Sequence, residues 1–274
     1  MKKKTLWVIT MLGLCLVLYT IVLSRMEAST NVIFGGSENA FIQSDSVNFG
    51  DLNVQDTPEP TVDIWPALTT SDFENNPQYS LVNNENLLSS AYEPEVSKIS
   101  VTRYMMFRTE YMQYIDAFLQ AIQDAGYTPY IAAAYRSYSF QNHLFNSKAS
   151  QIAYGLGITD YLDPEYQKAA DEARTIVAFP GSSEHQLGLA VDILDRERTK
   201  LVYGDMDQEF FAWLDSHCAE YGFIKRYPTK KLLLTGWDEP WHYRYVGKEV
   251  ATFITEQDIC YEEFYAHYFP DFEY

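Results

Sequence analysis

The chain has 274 residues, of which 47% are hydrophobic and 16% aromatic, so it can bury one substantial core and carry additional segments. Its formal net charge of -18 argues against nucleic acid as a partner, because phosphate binding requires clustered Lys and Arg. With only 3 cysteines, the chain is not a small scaffold held together by disulfides.

The first predicted element is an uncharged apolar segment from Thr5 to Ser24, which follows lysines at the N-terminus. About twenty such residues cross the hydrocarbon core of a bilayer, and the lysines favour a cytoplasmic N-terminus. Residues 1–26 are therefore predicted to form a single-pass signal-anchor in the plasma membrane, with the rest of the chain on the extracytoplasmic side. The alternative is a signal peptide cleaved near Ala28, which would give a secreted protein.

Residues 27–80 are predicted to form a disordered acidic linker. From Glu27 to Val96 the chain contains many Asp and Glu but no Lys or Arg, with Asn, Ser, Thr and Pro throughout. Self-repulsion extends such a segment, and its sparse apolar residues do not offset the entropy of ordering it. The alternative is a tether that binds a partner through the apolar cluster at 62–65.

The remaining residues, 81–274, are predicted to fold as an α+β domain with a small, mostly antiparallel central sheet flanked by helices. Helical spacing or a capping residue predicts helices at 108–124, 139 onward, 165–176, 207–221 and 247–253. Apolar runs and alternation predict strand segments at 130–134, 189–193, 223–224, 232–234 and 241–246. The irregular segment 155–178 is interpreted as a lid or rim over a cleft.

The stretch from Gly181 to Asp192 carries the strongest chemical signal. It places the imidazole of His185 and the carboxylate of Asp192 around Gly188, which tolerates turn conformations that larger residues resist. Because the residues after Gly188 alternate as in a half-buried strand, the Asp192 side chain is expected to face away from the core, toward His185. This pattern predicts two ligands of a metal site.

The third ligand is predicted further along the chain at His242, with Glu239 as a carboxylate for proton transfer. Residues three apart lie on opposite faces of a regular strand, so this pairing requires a break in the strand between them. Pro240, which lacks an amide donor, fits such a break. Three protein ligands would leave a coordination position for water, as hydrolytic metal sites require.

These motifs resemble those of the zinc D-alanyl-D-alanine carboxypeptidases of the VanY type. The family's first zinc motif, Ser-x-His-x-x-Gly-x-Ala-x-Asp, is matched by Ser183, His185, Gly188, Ala190 and Asp192. Its second motif is matched by Glu239 and His242, and a substrate-binding segment is matched by Tyr135-Arg136-Ser137-Tyr138 followed by Gln141. The resemblance covers roughly residues 81–274 and implies one Zn²⁺ ion, held by His185, Asp192 and His242.

The resemblance implies removal of the terminal D-alanine from peptidoglycan stem peptides by metal-activated water. It implies Glu239 as the catalytic base, with Glu184 and Asp238 as neighbouring competitors. Arg136 suits a terminal carboxylate or a developing oxyanion, because its planar group donates two parallel hydrogen bonds, although a surface salt bridge is the simpler interpretation. Substrate contacts are further expected from Ser137, Gln141 and Ser183.

Several alternatives remain open from the sequence. Family members differ in specificity, so an L,D-carboxypeptidase acting on tetrapeptide stems is the nearest one. A catalytically inactive cell-wall-binding module would lack ligands that this chain retains, and a lysostaphin-like endopeptidase would carry a His-x-His motif that is absent here. By ligand type alone, other divalent metals would also fit.

The other candidate groups receive plainer interpretations. Cys218 and Cys260 are expected to be either paired or buried free thiols, and Trp241 and Tyr243 to pack on the back face of their strand. Three further histidines are interpreted as ordinary helix or tail residues: His143, His217 and His267. The chain is expected to be monomeric.

Overall fold

The structure is a computed structural model that describes residues 64–272. The predicted signal-anchor and the predicted linker up to residue 63 lie outside this range, as does the alternative cleavage site at Ala28. Within the described residues, no helix is both long and apolar enough to cross a membrane.

Antiparallel strands form the centre of the domain. In chain order the strands are Val96–Lys98 (β1), Met106–Arg108 (β2), Tyr130–Ala133 (β3), Ala190–Leu194 (β4), Phe223–Tyr227 (β5) and Glu239–Tyr245 (β6). β1 and β2 pair as a ribbon, and the other strands form a sheet in the spatial order β3-β4-β6-β5, with every neighbouring pair antiparallel. The predicted α+β class and antiparallel sheet are confirmed.

Helices surround this sheet. In chain order they are Thr70–Asn75 (α1), Met112–Asp124 (α2), Tyr138–Gly155 (α3), Tyr166–Arg174 (α4), Gln208–His217 (α5), Leu232–Thr235 (α6), Lys248–Gln257 (α7) and Tyr261–Tyr268 (α8). The strand predicted at 232–234 is wrong, because a short apolar run does not by itself distinguish a strand from a helical turn.

The main core lies between α2 and one face of the sheet. Ile115, Phe118 and Ile122 on α2 are fully buried, and they belong to the same cluster as Val191 and Ile193 of β4. Side chains alternate between the two faces of a strand, so Asp192 lies on the opposite face. The opposite face of the sheet is therefore the one that carries the candidate site.

The first described residues pack against the last two helices. Phe73 of α1 is 6% exposed and contacts the rings of Phe264 and Phe269 of the C-terminal segment. The Trp65 ring stacks on His267 with 3.8 Å between ring centroids. Residues 64–80 therefore pack with the folded domain, unlike the linker predicted from their composition, because their few aromatic side chains are concentrated on one contact surface.

Helices α3 and α4 pack together through a small apolar cluster that includes Phe145, Ala149 and Ala173. Residues 176–178, which follow α4, line the cavity described below. The rim interpretation of 155–178 thus applies to the end of that segment. Cys218 and Cys260 are both buried free thiols, so the disulfide alternative is wrong.

Candidate metal centre

The two predicted ligands of the first motif, His185 and Asp192, are positioned by a tight turn and by the strand β4 that follows it. His185 lies in a one-turn 3-10 helix, Glu184–Leu187, and Gly188 ends that turn in the left-handed conformation with φ 71°. A Cβ at Gly188 would lie 3.3 Å from Val96 Cγ1 of β1, and the Gly188 carbonyl accepts a hydrogen bond from the Arg108 amide of β2 at 2.8 Å. The ribbon therefore holds this turn against the sheet.

The third predicted ligand, His242, lies beside the first motif on the neighbouring strand. Asp192 of β4 and His242 of β6 are direct Cα partners in the antiparallel ladder. The pairing of β6 with β5 is irregular in register. Lys225 of β5 pairs with Tyr243, whereas Tyr227, two residues further along β5, pairs with Glu239, four residues before Tyr243. This irregularity contains Pro240 and brings Glu239 Oε2 to 3.7 Å from His242 Nδ1. The predicted break between Glu239 and His242 is confirmed.

Ligand atoms of His185, Asp192 and His242 lie within 4.8 Å of one another. His185 Nε2 is 3.4 Å from Asp192 Oδ2, and His242 Nδ1 is 3.1 Å from Asp192 Oδ1. His242 Nδ1 and Asp192 Oδ1 are buried, yet neither has a hydrogen-bond partner of acceptable geometry. Buried polar atoms that converge without hydrogen bonds fit a cation between them, and this set of donors suits zinc.

The other nitrogen of each imidazole has a partner that orients the ring. His185 Nδ1 lies 2.7 Å from the Ala134 carbonyl, and His242 Nε2 lies 3.3 Å from Glu184 Oε2. Both contacts require the ring nitrogen to donate, so the acceptor nitrogens left over are His185 Nε2 and His242 Nδ1. These are the nitrogens that face Asp192, as expected for metal-binding histidines.

The charges around the two imidazoles differ. Burial, followed by the nearby Arg136, lowers the pKa of His185 to about 4, which favours its neutral, ligating form. Burial also opposes the charged form of His242, but the carboxylates of Asp192 and Glu184 outweigh it and raise the pKa of His242 to about 9. A cation and a proton therefore compete for His242 Nδ1.

Glu239 has the properties of a proton acceptor. Burial in the cavity wall raises the pKa of the Glu239 carboxyl to about 7, against the opposing effect of His242. Its side chain retains 29% exposure, so it remains open to the cavity. A carboxylate with a pKa near neutrality is suited to general base catalysis at neutral pH.

The burial and charge environment of Glu184 and the position of Asp238 make both less suited to that role than Glu239. The Glu184 side chain is fully buried, and Arg226 and Arg244 hold its pKa well below the usual range despite burial. Asp238 is exposed and accepts a hydrogen bond from Thr229 Oγ1 at 2.8 Å. Asp238 is not among the described residues that line the cavity.

The metal centre opens into a cavity of about 560 Å³. Its lining includes predicted substrate residues: Arg136, Gln141 and Ser183. Arg136 Nε is buried without a hydrogen-bond partner, and so is Gln141 Oε1, while Gln141 Nε2 donates to the Ala178 carbonyl at 2.7 Å. These atoms are therefore free to bind a polar ligand.

Ser137 is placed differently from the other predicted substrate residues. It is the N-cap of α3, where its hydroxyl accepts a hydrogen bond from the Phe140 amide at 3.2 Å. It lines a neighbouring cavity that also borders Arg136, rather than the cavity at the metal centre. A substrate contact by Ser137 stays a prediction.

The structure adds residues to the site that sequence reasoning missed. Trp241 packs against the main core, as predicted for the back face of its strand, and it also lines the cavity beside the irregularity in β6. Tyr243 follows the prediction and is fully buried in the main core. Tyr227 and Trp237 also line the cavity, and no spacing signal in the sequence pointed to them.

The fold and site together define an α+β domain in which His185, Asp192 and His242 could hold a metal ion, with the carboxylate of Glu239 beside them. The family model described as VanY: D-alanyl-D-alanine carboxypeptidase matches residues 105–248, and the chain belongs to this family. A D-alanyl-D-alanine carboxypeptidase of Enterococcus faecalis is 37% identical over 185 residues, which are 67% of this chain and 64% of that protein. The match thus spans less than two thirds of this relative.

Solved structures show the same fold. A mutant of the vancomycin resistance D,D-pentapeptidase VanY from a VanB-type cassette, in complex with Zn(II), is similar with a TM-score of 0.56 and 35% identity. That likeness covers 69% of this chain and 99% of the other. The LD-carboxypeptidase LdcB is similar with a TM-score of 0.57 and 31% identity, over 70% of this chain and 87% of the other.

Proposed function

We propose that this protein is a zinc-dependent D,D-carboxypeptidase that removes the terminal D-alanine from peptidoglycan stem peptides. The observation that carries the proposal is the convergence of His185, Asp192 and His242 within 4.8 Å, at the floor of a cavity that also contains Glu239 and Arg136. Support for the substrate comes from the VanY family and from its zinc-bound structural relative.

Each polar group of the cavity has a role in this proposal. Zinc, when bound by His185, Asp192 and His242, would polarise the scissile carbonyl and lower the pKa of water. Glu239 takes a proton from the attacking water and returns it to the leaving amine. Arg136 binds the terminal carboxylate of the substrate, because its guanidinium is buried beside the site with an unpaired Nε.

The surrounding side chains restrict water and orient the peptide. Gln141 offers an unpaired Oε1 for a substrate amide, and Ser183 lines the cavity beside the first ligand motif. The side chains of Trp237 and Trp241 form an apolar part of the cavity wall. The proposal places this domain outside the plasma membrane, where stem peptides are found, and retains the predicted signal-anchor at residues 1–26 and a monomeric state.

The proposal predicts metal-dependent release of D-alanine from synthetic stem peptides by the full-length chain. Pentapeptide stems ending in D-alanyl-D-alanine should lose one alanine, as detected by mass spectrometry. A chelator should abolish the release, and added zinc should restore it. The reason is that the attacking water would be activated in the coordination position that the three protein ligands leave open. Absence of release from every stem peptide by the zinc-loaded protein would contradict the proposal.

The likeness to LdcB makes an L,D-carboxypeptidase the second candidate. The same experiment separates the two activities when a tetrapeptide stem is run beside the pentapeptide. Release of alanine from the tetrapeptide alone would assign L,D specificity, whereas release from the pentapeptide alone would assign D,D specificity.

Arg136→Ala is expected to weaken hydrolysis of free-carboxylate substrates far more than hydrolysis of the same peptides with an amidated terminus. The lost contact is an ion pair with parallel hydrogen bonds between the guanidinium and a carboxylate, whereas a neutral amide forms only a weaker hydrogen bond to the guanidinium. The measurement is kcat/KM for both peptides in both proteins. Lys148→Ala is a matched control, because Lys148 also lines the cavity but pairs with Gln151 at 3.2 Å. Equal losses on both peptides for Arg136→Ala would remove its assigned role.

A further inference from the structure

A cluster of buried charges lies on the Nε2 side of His242. It consists of two acids and two arginines, each at most 2% exposed: Glu184, Arg226, Arg244 and Glu262. The Coulomb interactions of such groups are screened little by solvent, and burial makes the loss of any partner costly. None of these side chains was identified from the sequence as part of a network.

The contacts form a continuous path from the last helix to the metal ligand. Glu262 of α8 accepts two hydrogen bonds from Arg226, at 2.9 Å from Nη1 and 2.6 Å from Nη2. Arg226 Nε donates to Glu184 Oε1 at 2.8 Å. The other oxygen of Glu184, Oε2, lies 3.3 Å from His242 Nε2.

We propose that Glu262 is a positioning residue for the metal ligand His242, acting through Arg226 and Glu184. The inference rests on the proposed zinc site, and it concerns a helix beyond the family match, which ends at residue 248. A planar guanidinium held at both its Nε and its Nη edges has a fixed orientation. Glu184 is thereby held where it accepts the Nε2 proton of His242, which orients the ring and makes Nδ1 a better ligand.

The balance of charges in this cluster also indicates that Glu262 affects the position of Glu184 relative to His242. With Glu262 neutral, Arg226 has only Glu184 as a buried counter-ion, and the Glu184 carboxylate is drawn toward Arg226 and away from His242. Arg244 does not replace the lost acid, since it is itself a cation 2.9 Å from Glu184 Oε1. Its Nη2 is already directed to the carbonyls of Pro77, Gln78 and Ser80.

The test is the zinc affinity of the full-length chain, measured by competition with a chelator of known affinity. Glu262→Gln, which keeps the shape of the side chain, is expected to weaken zinc binding about tenfold, the size of loss typical of groups that orient metal ligands. The absorption bands of the Co²⁺-substituted protein should also shift, because they report the ligand geometry. Unchanged zinc affinity and an unchanged Co²⁺ spectrum would overturn the inference.

Glu263→Gln is the matched control. Glu263 is the next residue on α8, and its carboxylate pairs with Lys231 at 2.6 Å and accepts the Cys260 amide at 2.8 Å, but it does not contact the charge cluster. It should lower thermal stability without changing zinc affinity. An equal loss of affinity in both variants would assign the effect to general destabilisation and overturn the inference.

If Glu262→Gln does not fold, Glu262→Asp provides the same test. It keeps the charge but is too short to hold both nitrogens of Arg226 in the present geometry, so zinc affinity should fall in the same direction. Wild-type affinity in this variant would overturn the inference. Wild-type protein that binds no stoichiometric zinc would instead overturn the proposed function itself, together with the inference that rests on it.

Discussion

Glu239→Gln is expected to retain zinc and to lower kcat for D-alanine release by at least about a hundredfold. Glutamine preserves the shape of the side chain but does not accept a proton from water. Glu239 Oε2 lies 3.7 Å from His242 Nδ1 and lines the cavity, so it is close to the reacting groups without being one of the three converging ligands. The measurements are kcat with a pentapeptide stem and the zinc content of the purified full-length protein.

Asp238→Asn controls for the loss of a carboxylate on the same segment. Asp238 is exposed, bonds to Thr229, and does not line the cavity, so its replacement should leave kcat within about twofold of wild type. A near-normal rate for Glu239→Gln would transfer the base role to another group. Loss of zinc from Glu239→Gln would instead make Glu239 a ligand.

His185→Ala is expected to abolish both stoichiometric zinc and D-alanine release. The substitution removes one of the three converging ligands, and Asp192 and His242 would be left to hold the ion with solvent. Buried His185 also bonds the Ala134 carbonyl at 2.7 Å, so thermal unfolding of the variant must be measured beside its metal content. Full zinc occupancy with undiminished activity would contradict the ligand assignment.

His143→Ala is the matched control for this variant. His143 lies exposed on α3 and does not belong to the cluster of His185, Asp192 and His242. Its replacement should leave zinc content and turnover unchanged. A comparable loss of zinc in both variants would show that the metal content responds to destabilisation of the domain rather than to the ligand at position 185.

Much of the site could be predicted because its determinants are local. The motif around Gly188 combines a turn that only glycine adopts readily with strand alternation, and these two features place Asp192 opposite the core before any tertiary contact is considered. Pro240 similarly marked the irregularity in β6 that the structure shows. Short-range spacing and backbone stereochemistry were sufficient for both.

Other features depended on contacts between distant segments. The composition of 64–80 suggested a linker, but Phe73 is buried and Trp65 half-buried against helices α7 and α8 at the other end of the chain. Trp241 packs against the main core as predicted, but a regular two-residue period did not indicate that it also lines the cavity. Glu184, beside a ligand, looked like a possible base until its two arginine partners were known.

By itself, the sequence determined the fold class and identified His185, Asp192 and His242 as candidate ligands with Glu239 as a candidate base, because spacing within two short motifs indicates these residues. Only the tertiary structure decided which nitrogen of each imidazole faces Asp192 and how far the Glu239 carboxylate is exposed to the cavity. It also decided that Glu262 of α8 is connected to His242 through Arg226 and Glu184. Those outcomes depend on burial and on charges brought together by folding, and neither is a property of any one stretch of residues.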